Sequence, residues 1–181
     1  MNISTWTSEL GIPAQVPSPA ADWPDRGAML RAGVLGGLAG AVTIWIYEAV
    51  VWVGLQNLMP LAGIRRNATG LVFGKSVQDR FGAGSYVIGT GIHFVFAMAW
   101  GVLFAAIWSA LRHRGWEATL AAMFYAVTAW IIRHVAIAAA FSNHPKNVDP
   151  NGVIGGFMSH LFFKVPLALS VERRCEQVAR G

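Results

Sequence analysis

Four ionisable residues fall inside stretches of sequence otherwise suited only to hydrocarbon: Glu48, His93, His134 and His160. Each belongs to a different apolar segment. A carboxylate and three imidazoles are the donor types that hold haem iron or a transition metal. The same side chains relay protons through membranes, and histidine is the side chain that titrates near neutral pH. Polar groups in lipid are costly, so their presence asks for an explanation. Arg133 and Lys164 lie in the same segments as His134 and His160 and can serve as counter-charges.

Helical counting brings Glu48, His93, His134 and His160 to a similar level. At about 1.5 Å per residue, Glu48, His134 and His160 lie about 12 Å below the outer ends of their segments. His93 and Arg133 come out at about 13 Å and Lys164 at roughly 18 Å. The expectation is one polar cluster in the outer half of a bundle, made of Glu48, His93, Arg133, His134, His160 and Lys164. His144, Asp149 and Asn151 would sit above it in the last outer loop. Two cations against one carboxylate leave a positive excess even with neutral histidines. A metal site would draw on His93, His134, His160 and Glu48. No HxxxH or HExxH spacing occurs, so each ligand would have to come from a separate helix.

The elements that must position these groups are membrane helices. The chain of 181 residues is 55% hydrophobic and 13% charged, against about 25% charged in a soluble domain. Charges vanish between Arg80 and Arg112, and only Glu48 interrupts Arg31 to Arg65. A span takes about 20 apolar residues. Four spans are expected, near 29–55, 85–110, 117–141 and 153–171. The fold class is thus all-α, a four-helix transmembrane bundle spanning 28–172. A polar, proline-containing N-terminal tail (1–27) and a basic C-terminal tail (173–181) flank it. Basic residues favour both termini on the cytoplasmic side of a bacterial inner membrane. Trp108 and Trp116, around the turn Arg112-His113-Arg114-Gly115, resemble an inner aromatic belt, with Trp52 a candidate for an outer one. The first loop, 56–84, is read either as an ordinary loop or as carrying a short surface helix over Thr69–Phe81.

Packing is written into small residues. Gly33, Gly36, Gly37 and Gly40 form overlapping small-xxx-small pairs, the means by which membrane helices approach closely. Counting back from Glu48 in helical steps passes Ile44, Ala41, Gly37 and Gly33, so Glu48 continues a packing face and points at another helix. His93 has Gly89 and Ala97 four residues away on either side, and Gly152, Gly156, His160, Lys164 and Ala168 line up at steps of four. Pro166 is the one residue placed to kink the fourth span.

Several function classes are excluded or weakened. The net charge of +5 flanks the spans and forms no basic stripe with interleaved aromatics, so nucleic acid is not a partner. There is no Walker loop or nucleophile elbow, which argues against an enzyme of the usual soluble kinds. The single Cys175, in the basic tail, reads as an ordinary free thiol.

The chain resembles the YagU-like family of bacterial inner-membrane proteins from about Gly36 to Arg174. The resemblance rests on the glycine-rich first span ending in Tyr47-Glu48, on His93 followed by Gly101, and on His134 followed by Pro145. It continues with Met158-Ser159-His160-Leu161-Phe162 and Ser170-Val171-Glu172-Arg173-Arg174. It implies a multi-span inner-membrane protein linked to acid tolerance, with interest attached to Glu48, His93, His134 and His160. It implies no reaction, and Arg133 and Lys164 lie outside its pattern.

Four functional readings follow from the residues. One is a structural or pH-responsive polar network. A second is a haem- or metal-binding membrane protein. A third is a proton or small-solute pathway, and a fourth an accessory subunit of a larger membrane complex. The partners in view are the lipid bilayer and a homo-oligomer or larger complex.

Overall fold

The computed structural model describes residues 24–133 and 150–180, with side chains over 24–133 and 153–179. His134, His144, Pro145 and Asp149 lie outside the described residues, as does the end of the expected third span. The described residues are helical with no strand among them.

Helix α1 (Arg26–Tyr47) begins at Asp25, whose carboxylate accepts the Ala28 N–H at 2.7 Å. This satisfies one of the first-turn amides that a helix leaves unpaired. The helix runs on without a break into a π-helical segment, Glu48–Leu55. Asn57, at φ 48°, stops it, as asparagine in the left-handed region often does. Helix α2 (Leu61–Phe73) starts after Pro60 and ends at Gly74 (φ 91°), and α3 (Lys75–Arg80) follows directly. The long helix α4 (Gly84–Arg112) returns across the molecule. A tight turn at Gly115 (φ 78°) leads to α5 (Ala118–Ile132). Helix α6 (Pro150–Arg180) closes the fold, with proline at its first position, where the missing N–H costs nothing.

Three of these helical runs are long and apolar enough to cross a bilayer: Arg26–Leu55, Gly84–Arg112 and Val153–Ala179. The described part of α5 is apolar but shorter. Large side chains such as Ile46, Val50, Val87, Val95 and Phe124 point outward on these helices. In water such a surface would aggregate, whereas in lipid it is the expected outer face.

Four of the glycines of α1 serve two partners. A Cβ on Gly33 would lie 2.7 Å from the Val102 Cα, and one on Gly37 would lie 2.7 Å from the Met98 Cα, so this face carries α4. A Cβ on Gly36 would lie 2.9 Å from the Leu167 carbonyl oxygen, and one on Gly40 2.7 Å from that of Phe163, so this face carries α6. The overlapping motifs therefore place α1 between two helices at backbone contact. On the far side, α6 packs against α5, which buries Ala118, Ala121, Ala122, Ala126 and Ala129. Helices α4 and α5 meet at the Tyr125 hydroxyl, which donates to the Trp100 carbonyl at 2.8 Å.

Several expectations are corrected. The first loop is two helices, and the first of them starts at Leu61 and packs on α4. The segment after Glu172 is no tail: α6 stays helical to Arg180. Cys175 is buried in the core, and Arg112 donates to Glu176 at 3.1 Å beside it. Trp108 is wholly buried and stacks on Phe104, so it belongs to the core and not to an aromatic belt. Pro166 lies within α6 without interrupting it.

Candidate functional site

Glu48 stands where α1 passes into its π-helical segment. Its backbone N–H reaches back to both the Ile44 and Trp45 carbonyls. The wider turn re-aims the side chains that follow, and insertions of this kind are common at functional positions. The Glu48 carboxylate is buried and takes a hydrogen bond from the guanidinium of Arg65, itself buried. Arg65 comes from α2 and also lies over the Trp45 ring, 5.3 Å from its centroid.

Arg65 reaches that position because α2 is clamped to α4. The Arg65 carbonyl rests against Gly89, where no Cβ would fit. The Thr69 hydroxyl donates to the Ser85 carbonyl at 2.6 Å, and the Ser85 hydroxyl donates to that of Gln78. The small residue beside His93 therefore receives a loop helix, not another span. Arg65 falls within the expected first loop, 56–84, and is absent from the expected polar cluster. A signal was present: Leu61, Ile64, Ala68 and Leu71 recur at helical spacing, and Arg65 and Thr69 lie beside that stripe.

A cavity of about 300 Å³ opens beneath α2. Glu48, His93, Arg133, His160 and Lys164, five of the six residues of the expected cluster, line it together with Arg65. The sixth, His134, lies outside the described residues. The polar groups come from the π-helical segment, from α2, α4 and α6 and from the residue that caps α5. Between them the wall is apolar, with Ile44, Ile64, Leu71, Ile92 and Phe96.

Both described histidines of the cluster are bonded to helix carbonyls. His93 Nε2 lies 3.3 Å from the Ala41 carbonyl across the α1–α4 contact, and His160 Nδ1 lies 2.7 Å from the Gly156 carbonyl in its own helix. A carbonyl only accepts, so the bonding nitrogen in each ring carries the proton. Among the described residues, no three His, Cys, Asp or Glu side chains come together as a metal would require. Glu48 is turned to Arg65 instead. The three described members of the expected set, His93, His160 and Glu48, each have another partner.

Lys164 is the most exceptional member. It is 1% exposed, and its ammonium nitrogen has no hydrogen-bond acceptor. Its nitrogen instead lies 3.8 Å from the centroid of Trp100 and 4.4 Å from those of Tyr125 and Phe163. Ring faces attract a cation by about 0.5–2 kcal/mol each. They accept no strong N–H bond, and the effective desolvation cost of one buried ion is several kcal/mol. Arg65, Arg133 and Glu48 are the other charged side chains at the cavity among the described residues.

No family model, curated protein or solved structure matches this chain.

Proposed function

We propose that this chain is an integral membrane protein whose intramembrane cavity is a binding site for a small molecule, acting as a binding module and not as an enzyme. The observation that carries this reading is the cavity itself. Glue residues in membrane bundles pair off and close the space between helices. Here five polar residues chosen by their sequence positions surround about 300 Å³ with apolar walls between them. That is at the lower end of the range of roughly 300–1,000 Å³ typical of small-molecule pockets, and the mix of apolar wall and a few polar groups is also typical of them.

The setting we propose is a four-span bundle in a bacterial inner membrane with both termini cytoplasmic, and membership of the YagU-like family. The support is the three long apolar helices, the apolar α5 and the distribution of arginines at the ends. Reporter fusions at each terminus, active only in the cytoplasm, test the topology.

Binding is tested by thermal unfolding of the protein in lipid nanodiscs against a panel of small neutral, anionic and cationic amphiphiles. A ligand of the folded state raises the midpoint with concentration. The expected result is a saturable rise with at least one class, abolished by Ala68→Phe, which fills the cavity from α2. A panel without effect overturns the reading. A second reading is a structural network. It is favoured by the buried Glu48–Arg65 pair and by the His93 bond to Ala41, both of which tie elements together.

A further inference from the structure

We propose that the ligand of this cavity is an organic anion, a carboxylate on an apolar body, with Lys164 as its counter-charge. This rests on the cavity being a binding site. Four observations lead to the anion.

The first is the inventory of hydrogen-bonding groups. Glu48 is the one carboxylate at the cavity among the described residues, and Arg65 already occupies it. Lys164 offers three N–H donors and has no acceptor. Arg65 Nε likewise has no acceptor. His93 and His160 each keep one acceptor nitrogen, but neither reaches the Lys164 nitrogen, whose donors are left for the acceptor oxygens of a ligand.

The second is charge. Arg65 is matched by Glu48, no ion pair is made by the buried Lys164, and a low-dielectric surrounding makes such an excess charge expensive to keep uncompensated. An incoming carboxylate lowers that excess. A cation raises it, and a neutral lipid leaves it unchanged.

The third is how Lys164 is held. Trp100, Tyr125 and Phe163 enclose the nitrogen, and the Tyr125 hydroxyl is itself committed to the Trp100 carbonyl. The ring faces fix the ammonium in position without using its donors. A lysine kept only for packing would be replaced at no cost by methionine, which fills the same space without a charge.

The fourth is the remaining wall. Ile44, Ile64, Leu71, Ile92 and Phe96 give the ligand an apolar body to match. A bare inorganic anion would leave these side chains without a partner. A medium-chain fatty acid from the bilayer and an aromatic acid from water share the required chemistry.

The experiment uses the full chain in nanodiscs and four probes: decanoate, benzoate, decanol and decyltrimethylammonium. Binding is read by calorimetry and by the thermal midpoint. The expected result is saturable binding of decanoate or benzoate at least about tenfold tighter than decanol, with the cation not binding. Decanoate alone points to entry from the lipid, and benzoate alone to entry from water. In Lys164→Met the carboxylate should fall to the affinity of decanol, and in Lys164→Arg it should hold. Equal binding of decanol and decanoate, unchanged in Lys164→Met, overturns the anion and leaves the cavity reading standing. Silence from all four probes, with the protein folded, overturns both.

Discussion

The Arg65 guanidinium closes on the Glu48 carboxylate, with both side chains buried and 17 positions apart in the chain. One belongs to a candidate span and the other to the helix that follows it. The pair therefore fixes α2 over the cavity and decides that the first loop is part of the bundle. Buried pairs of this kind are weak in net stabilisation, because desolvation offsets attraction, but removing one partner strands a charge.

The first prediction follows from that asymmetry. Arg65→Met should lower stability by up to about 3–5 kcal/mol, since the buried Glu48 carboxylate loses its hydrogen-bonded counter-charge. The double variant Glu48→Gln with Arg65→Met should recover most of the loss. Chemical or thermal unfolding in nanodiscs, arranged as a double-mutant cycle, measures both. Additive losses would show that the two groups do not depend on each other.

How much of this was legible in the sequence differs by residue. The long apolar runs and the glycine spacing of α1 announced helices at backbone contact, and the structure assigns Gly33 and Gly37 to one neighbour and Gly36 and Gly40 to another. Counting at about 1.5 Å per residue brought Glu48, His93, Arg133 and His160 to similar depth and Lys164 about one turn deeper, and all five line one cavity. Arg65 was not legible by the same rule. Its segment interrupts the apolar residues with Arg65, Arg66, Asn67 and Thr69, so it reads as loop, and tertiary contact with Gly89 places its charge inside. The length of α6 was missed for a related reason. Glu172, Arg173, Arg174 and Glu176 end the apolar run, yet one face of that last stretch still carries Val171 and Cys175 into the core. Hydropathy marks where lipid contact stops and says little about where a helix stops.

The glycine assignment gives the second prediction. Gly37→Val should separate α1 from α4, and Gly40→Val should separate α1 from α6, each at a cost above the usual 1–3 kcal/mol for overpacking, since backbone must move. Gly91 lies on α4 with open space where a Cβ would stand. Gly91→Ala should therefore be neutral or stabilising by up to about 1 kcal/mol from helix propensity alone. Thermal midpoints of the three variants decide it. Equal tolerance at all three positions would contradict the backbone contacts.

The third prediction concerns the join between α4 and α5. The Tyr125 hydroxyl donates to a carbonyl of a helix that otherwise meets α5 sparingly. Tyr125→Phe keeps the ring beside Lys164 and removes only that bond. A loss of about 0.5–1.5 kcal/mol is expected. If the anion site depends on the ring and not on the hydroxyl, decanoate affinity should change less than twofold in the same variant, whereas Tyr125→Ala should weaken it. Calorimetry on the two variants separates structural from binding roles.

The last prediction concerns the C-terminal turns of α6. The chain has one cysteine, Cys175, so thiol chemistry reports on a single place. In a polar tail this thiol would react freely. In the structure it is 1% exposed, among core residues that include Val171 and Trp108, and the Arg112–Glu176 pair beside it joins the ends of α4 and α6. Maleimide labelling of the folded protein should therefore be at least about tenfold slower than labelling in denaturant, since reaction waits for local opening. Arg112→Ala should speed it modestly, because a partly exposed ion pair contributes only about 0–1 kcal/mol. Labelling of the native protein at the denatured rate would show that α6 ends near Glu172 after all.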